Sequence, residues 1–192
     1  MQVNKIEGIL FHNEKELLNK KGEIIYRTLK KLKKDGLLNN IGVSLYEVKN
    51  LLPIINKFSL DFIQIPYNFF DNRFFDHKIL KILKEKKIKI HARSIFLRGL
   101  LLSETNLIKK KYSYFYEDLK FFEKTCKINK LSKIQYCINY AFSNNNISKF
   151  VIGVDNIDRF KEILNSIKRF KKIKKINYKL KNKLISDPRR WK

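Results

Sequence analysis

The feature that most constrains this chain is a five-fold beat: a short apolar run, then a stretch with helical spacing. Ile6–Phe11 (IEGILF) reads as a strand, and Glu23–Lys34 follows with apolar residues at 24, 25, 29 and 32, the spacing of one helix face. Asp35–Gly36 closes that helix, because glycine tolerates the left-handed conformation just past a helix end. Ile41–Val43 reads as the second strand, and Val48–Phe58 as a helix that must hold Pro53 in its first turn or kink there. Phe62–Ile65 is a third strand, stopped by Pro66, and a lysine-rich amphipathic helix is expected over Phe75–Lys87. Ile88–Ala92 is the fourth strand. A longer connection runs from Ser94 to Lys111, then helices over Tyr114–Lys127 and Ser132–Asn144. Phe150–Ile152 is the fifth strand, and a helix over Ile157–Phe170 ends the pattern.

Strands alternating with helices of this length imply βαβ units and a parallel sheet. Two folds share the pattern: an open doubly wound sheet, and a segment of a closed barrel. Periodicity does not separate them. A dinucleotide fingerprint of the GxGxxG type follows none of the strands, no P-loop is present, and there are six glycines in all. The length of 192 residues suits one domain but is short of the roughly 250 of a complete (β/α)8 barrel. Residues 1–183 are expected to form that domain, with 184–192 (LISDPRRWK) as an extension whose Trp191 could dock back. The run 168–183, with nine basic residues and no acidic one, reads as a helix end and a solvated tail.

The net charge of +25 would ordinarily point to a polyanionic partner. Lys outnumbers Arg 35 to 8, however, whereas bidentate recognition of phosphates and bases favours Arg. The lysines also accompany abundant Ile, Asn, Phe and Tyr. Nucleic acid is therefore an unlikely partner, and most of the charge is assigned to solvated faces. Cys126 and Cys137, eleven residues apart with no CxxC and no histidine at ligand spacing, read as buried reduced thiols, so no metal is expected. No apolar stretch approaches the length of a membrane span and no signal peptide is visible, so a cytoplasmic protein is expected and no membrane partner.

In parallel α/β proteins the functional groups gather past the C-terminal ends of the strands. Those positions hold His12 and Asn13; Ser44; Gln64, with Tyr67 and Asn68; His91, Arg93 and Ser94; and Gly153 to Asn156. Each has a plainer alternative. His12 could be a surface or capping histidine, and His91 a core histidine. Gln64 could satisfy backbone groups. Asp155–Asn156 could cap the next helix, whose N-terminus, with Arg159 one turn in, could also bind phosphate.

In order, the segments LFH (10–12), IGVSLYE (41–47), DFIQIPYNFFDNR (61–73), IHARSIFLRGLLL (90–102) and VIGVDN (151–156) resemble the aldo/keto reductase family. The most specific block is Gln-x-Pro-Tyr-Asn, then Asp-x-Arg, then Ala-Arg-Ser and Gly-Leu-Leu, and the likeness runs over about 5–170. It implies a partial TIM (β/α)8 barrel of about five βα units, strands four to eight, of the NADP-dependent oxidoreductase type. It also implies hydride transfer between NADP (or NAD) and a small-molecule carbonyl substrate. His12 matches the catalytic histidine that polarises the carbonyl. Ser44 and Gln64 match residues that bond the nicotinamide carboxamide, and Arg93 the side chain packed on its ring. Ser94, Gly99 and Leu100 match the loop over the pyrophosphate. Gly153 and Asn156 belong to the turn near the adenosine, and Arg159 matches an arginine near a 2′-phosphate. Leu45 stands where the family often has Asn, and Val154 where a small polar residue is common.

The family's catalytic Asp, Tyr and Lys lie before the fourth strand and find no counterpart here. The expectation is therefore an oxidoreductase active as the C-terminal part of a split or truncated enzyme. A second chain or a homo-oligomer would then close the barrel. The alternative is a non-catalytic, degenerate paralogue (a pseudoenzyme) or interaction module that keeps the fold.

Overall fold

The structure is a computed structural model and describes residues 4–174, 176 and 178–191. Five strands form one sheet in the order β1-β2-β3-β4-β5: β1 (Ile6–Phe11), β2 (Leu38–Ser44), β3 (Phe62–Pro66), β4 (Lys89–Arg93) and β5 (Ile147–Phe150). The pairs β1–β2, β2–β3 and β4–β5 are parallel. Spatial order that follows chain order decides the question left open above. A doubly wound sheet reverses its order at a switch point, whereas successive units of a (β/α)8 barrel do not. The chain divides into two compact units. The first takes Met1–Pro66, Arg73–Ala92 and Asn146–Phe150; the second takes Tyr67–Asn72, Arg93–Asn145 and Val151–Lys192.

The first unit carries the sheet, with α1 (Glu14–Leu18), α2 (Lys20–Lys34), α3 (Leu51–Lys57) and α4 (His77–Glu85). Registered neighbours in a sheet share a face, and faces alternate along each strand. One face is aliphatic and fully buried: Ile41, Val43, Ile63, Ile65 and Ala92 have no exposed surface. Burying an aliphatic side chain of this size stabilises by about 1.5–3 kcal/mol, so this face supplies much of the unit's cohesion. Leu45 joins it just past β2 and is equally buried.

The other face is small, polar or aromatic. Gly42 pairs with Phe62, and Ser44 with Gln64. Gly42 is required there, because a Cβ would meet the Phe62 ring at 2.5 Å. On its far side Phe62 stacks on His91, ring centres 4.4 Å apart. Burial, reinforced by Lys149 and Lys89, holds the His91 imidazole below its ordinary pKa. His91 is half-buried, between the core reading and an open position. Lys149 on β5 comes within 3.9 Å of Glu7 on β1, so the sheet is rolled enough for its outermost strands to approach.

Several boundaries differ from the sequence expectation. α2 begins at Lys20, three residues before the expected start, and Asn19 caps it, its side chain accepting from the Gly22 amide at 2.8 Å. The short α1 before it was not expected. Pro53 sits in the first turn of α3. The fifth strand lies at Ile147–Phe150 rather than Phe150–Ile152, so a six-residue connection, 151–156, precedes the next helix.

The second unit holds α5 (Thr105–Lys111), α6 (Tyr116–Ile128), α7 (Lys133–Phe142) and α8 (Ile157–Lys168). Phe69, Phe70, Phe122, Tyr136 and Tyr140 form an aromatic core. Cys126 and Cys137 are buried free thiols; desolvation pushes Cys126 up to about 12 and Cys137 well above the usual value. Among the described residues no cluster of potential metal ligands occurs, and no helix is long and apolar enough to cross a membrane.

The tail expected to be solvated is docked instead. Asp118, fully buried, accepts the Tyr178 hydroxyl at 2.8 Å and the amides of Lys181 and Asn182 at 2.9 and 3.1 Å. Lys179, Lys181 and Lys183 still point to solvent. The lysine run was read from its side chains, whereas its backbone and one tyrosine satisfy a buried carboxylate. Trp191 does dock back, against Tyr112 and Phe115, and its indole N–H donates to the Leu184 carbonyl at 3.0 Å.

Candidate functional site

In the first unit the candidate groups come from the ends of β1 to β3. His12 follows directly on Phe11 where β1 bends into α1, and it is exposed. Ser44 ends β2 and is fully buried, paired in register with the half-buried Gln64. The Gln64 carbonyl accepts the Leu45 amide at 2.8 Å, which holds the two strand ends together. Ser44 and Gln64 therefore lie side by side on the polar face, Ser44 beneath the surface and Gln64 half-exposed. Leu45 turns to the aliphatic face, away from this pair.

One buried carboxylate holds these exits in place. Glu14, 2% exposed, accepts the amides of Tyr46 and Glu47 at 3.1 and 3.3 Å and the Asn50 side-chain amide at 3.3 Å. It lies two residues after His12 and bonds the loop just after Ser44. Sequence reasoning passed over Glu14, because no helix was expected there and its partners lie more than 30 residues on.

The second unit contains a cleft of about 710 Å³ lined by Arg93, Ser94, Arg98, Gly99, Gly153 and Arg159, among others. Its floor is a turn in an uncommon conformation: φ is +61° at Ser94, +50° at Leu97, +53° at Arg98 and +84° at Gly99. Non-glycine residues in this region cost about 1–3 kcal/mol each, and such strain concentrates at ligand sites. The turn is braced internally, with Leu97, Gly99 and Leu100 amides donating to Ser94, Phe96 and Leu97 carbonyls at 2.9, 2.9 and 3.1 Å. Asn68, buried at 1%, donates its side-chain amide to the Ser94 carbonyl at 3.1 Å. The asparagine of the Gln-x-Pro-Tyr-Asn block thus supports the strained turn, a role its sequence position did not disclose.

Around the cleft, the Arg93 guanidinium donates to the Ser94 hydroxyl at 3.3 Å, and Arg159 is held by Glu162 at 3.0 Å. Cβ atoms added at Gly99 or Gly153 would meet nothing within 4 Å, so both glycines open onto free space. Leu100 and Asn156 stand outside the lining. Leu100 is buried in the core, and the Asn156 side-chain oxygen accepts the Arg159 amide at 2.8 Å as the cap of α8. Arg98, which the sequence reading did not single out, adds a third guanidinium to the wall.

A family model described as the aldo/keto reductase family matches residues 1–181. Among solved structures, the chain is similar to an aldo-keto reductase from Bacillus halodurans in its apo form, with TM-score 0.73, 15% identity, and 89% of this chain and 59% of that one covered. The holo form of that reductase gives TM-score 0.70 and 15% identity over 89% and 58% of the two chains. The chain thus spans less than two thirds of the length of that reductase, and identity at this level speaks to the fold alone. No curated protein matches the sequence.

Proposed function

This chain belongs to the aldo/keto reductase family, and from that membership we propose that its residues hold a nicotinamide dinucleotide, NADP or NAD, and orient a small carbonyl compound for hydride transfer. The observation that carries this reading is the second unit's cleft, where three guanidinium groups, two glycines without side chains and a strained turn line about 710 Å³. Guanidinium groups suit phosphates, and missing Cβ atoms let a bulky diphosphate lie close to the backbone. When bound, the reduced nicotinamide supplies the hydride.

The chain's own groups would do the following. Ser94 and Gly99 line the diphosphate's course, with the Arg93 plane available to pack on a ring. Arg159, at the start of α8, answers a 2′-phosphate and favours NADP. Ser44 and Gln64 bond the carboxamide with a hydroxyl and an amide. His12 donates to the carbonyl oxygen and stabilises the negative charge that grows there. Leu100, Gly153 and Asn156 shape the adjoining backbone. A proton donor for the product alkoxide is not among these groups. We assign it to residues outside these 192.

The test is a titration of the full chain with NADPH and NADH, followed by fluorescence. Saturable NADPH binding in the micromolar range, weakened roughly tenfold by Arg159→Ala while NADH binding is unchanged, is the expected result. Absence of binding of either nucleotide at millimolar concentration would reject the reading in favour of a non-catalytic module. Oxidation of NADPH by a panel of aldehydes with this chain alone would reject the assignment of the proton donor elsewhere.

A further inference from the structure

The strained turn at 94–99 in the second unit is held from outside itself. Leu97, Arg98 and Gly99 are left-handed in succession, and Ser94 stands in the same region. Strain of this kind persists only where neighbouring groups over-determine the backbone. One such group is Asn68, and both ends of its carboxamide are in use. Its nitrogen donates to the Ser94 carbonyl at 3.1 Å, and its oxygen accepts the Phe70 amide at 2.9 Å. Asn68 and Asp71 also exchange backbone hydrogen bonds at 3.0 and 3.1 Å, which closes 68–71 into a small loop. The orientation of the Asn68 amide therefore follows the seat of Phe69 and Phe70.

The tail closes that seat on one side. The Tyr178 ring stacks on Phe121, centres 4.0 Å apart, and lies 6.5 Å from Phe69 and 6.2 Å from Phe70. Phe69 and Phe70 are buried and Tyr178 is half-buried, so the tyrosine is the outer wall of the cage. Asp118 on α6 holds it there, accepting the Tyr178 hydroxyl and the Lys181 and Asn182 amides. Burial and the Asp118 carboxylate push the phenol above its ordinary pKa, so it stays a donor at neutral pH. We propose that Tyr178, seated by Asp118, is a positioning residue for the turn at 94–99 and, through it, for the dinucleotide. The effect on the dinucleotide rests on the function proposed for the cleft, whereas the effect on the turn does not. The relay runs from Asp118 through Tyr178, Phe69, Phe70 and Asn68 to Ser94, all in the second unit. Docking of the tail and filling of the cleft are then coupled, and such coupling is reciprocal.

The experiment is amide hydrogen exchange of the full chain, with and without NADPH, beside an NADPH titration. The probes are the Leu97, Gly99 and Leu100 amides, which donate within the turn, and the Lys181 and Asn182 amides, which bind Asp118. Tyr178→Ala should speed exchange at the turn roughly tenfold and weaken NADPH by a similar factor. Tyr178→Phe, which keeps the stack and loses the hydroxyl bond, should recover most of both. In the unmodified chain, saturating NADPH should slow exchange at Lys181 and Asn182, although neither lines the cleft. Far-ultraviolet circular dichroism checks that the alanine variant folds, and the effect of NADPH on the unmodified chain reads the same coupling without a variant. Unchanged exchange at the turn in Tyr178→Ala overturns the proposal, whether or not NADPH binds. So does exchange that rises equally through α6 and α7, the mark of a merely structural loss. NADPH affinity indifferent to a loosened turn overturns the extension to the dinucleotide. A loosened turn in a chain that binds no NADPH upholds the positioning role and rejects the nicotinamide reading alone.

Discussion

The two units build their candidate binding groups in opposite ways. In the first, Ser44 and Gln64 fall side by side because strands alternate: their neighbours Val43, Leu45, Ile63 and Ile65 go to the buried face, and they go to the other. Nothing about their backbone is unusual. In the second, Ser94 and Gly99 belong to a turn held in four left-handed conformations and braced by Asn68. The first arrangement is a by-product of the core. The second costs energy locally and persists because buried partners over-determine it. A site made by alternation should tolerate loss of its polar groups, and a site made by strain should not.

The widest separation is expected between two adjacent residues. Ile63→Ala should cost about 3 kcal/mol in urea unfolding, the range for truncating a fully buried aliphatic. Gln64→Ala, one residue on and facing the other way, should cost less than about 0.5 kcal/mol while weakening nicotinamide binding. Equal costs would refute the assignment of faces. Next, Glu14→Ala strands three donors and should cost about 2–3 kcal/mol, with Glu14→Gln recovering part of it, since an amide oxygen still accepts.

In the second unit, Asn68→Ala should cost about 1–2 kcal/mol and Gly99→Ala about 1 kcal/mol, and both should lower NADPH affinity. Loss of stability without loss of affinity would separate the turn from the ligand. The smallest effect is one of pH. His91 has a folded pKa below its unfolded value, so between the two the unfolded chain holds more protons. Stability should fall as pH drops from 7 through the ordinary histidine range, chiefly because charging a desolvated ring beside Lys149 and Lys89 is unfavourable. In His91→Phe, which keeps the stack on Phe62, that part of the pH dependence should vanish from the urea midpoint.

The strand–helix beat was legible because short apolar runs at β1 to β4 stand out from the 3.6 spacing of α2 and α8. Gly36 correctly marked a helix end: φ is +77° there, and the Leu37 amide donates back to the Leu32 carbonyl at 3.0 Å. The ends of α4 and α6 were less legible, since Lys87 and Lys130 occupy the same left-handed position, with φ of +57° and +53°. Lysine carries no mark of that conformation in a sequence. The fifth strand was misplaced because ISKF (147–150) is less apolar than FVI (150–152). Pairing with β4, and the Ser148 hydroxyl donating to the Ile90 carbonyl at 2.9 Å, fix it instead.

What the sequence determined by itself is the set of local choices: which stretches alternate, which wind, where Gly36 ends a helix, and the ordered blocks that place the chain in its family. Those depend on residues near one another along the chain. What the tertiary structure alone decided is every role that joins distant residues: Glu14 with the loop after Ser44, Asn68 with Ser94, and Asp118 with a lysine-rich tail that looked free. Each is a buried polar atom whose desolvation must be met by a partner, and the partner is chosen by packing rather than by proximity in sequence.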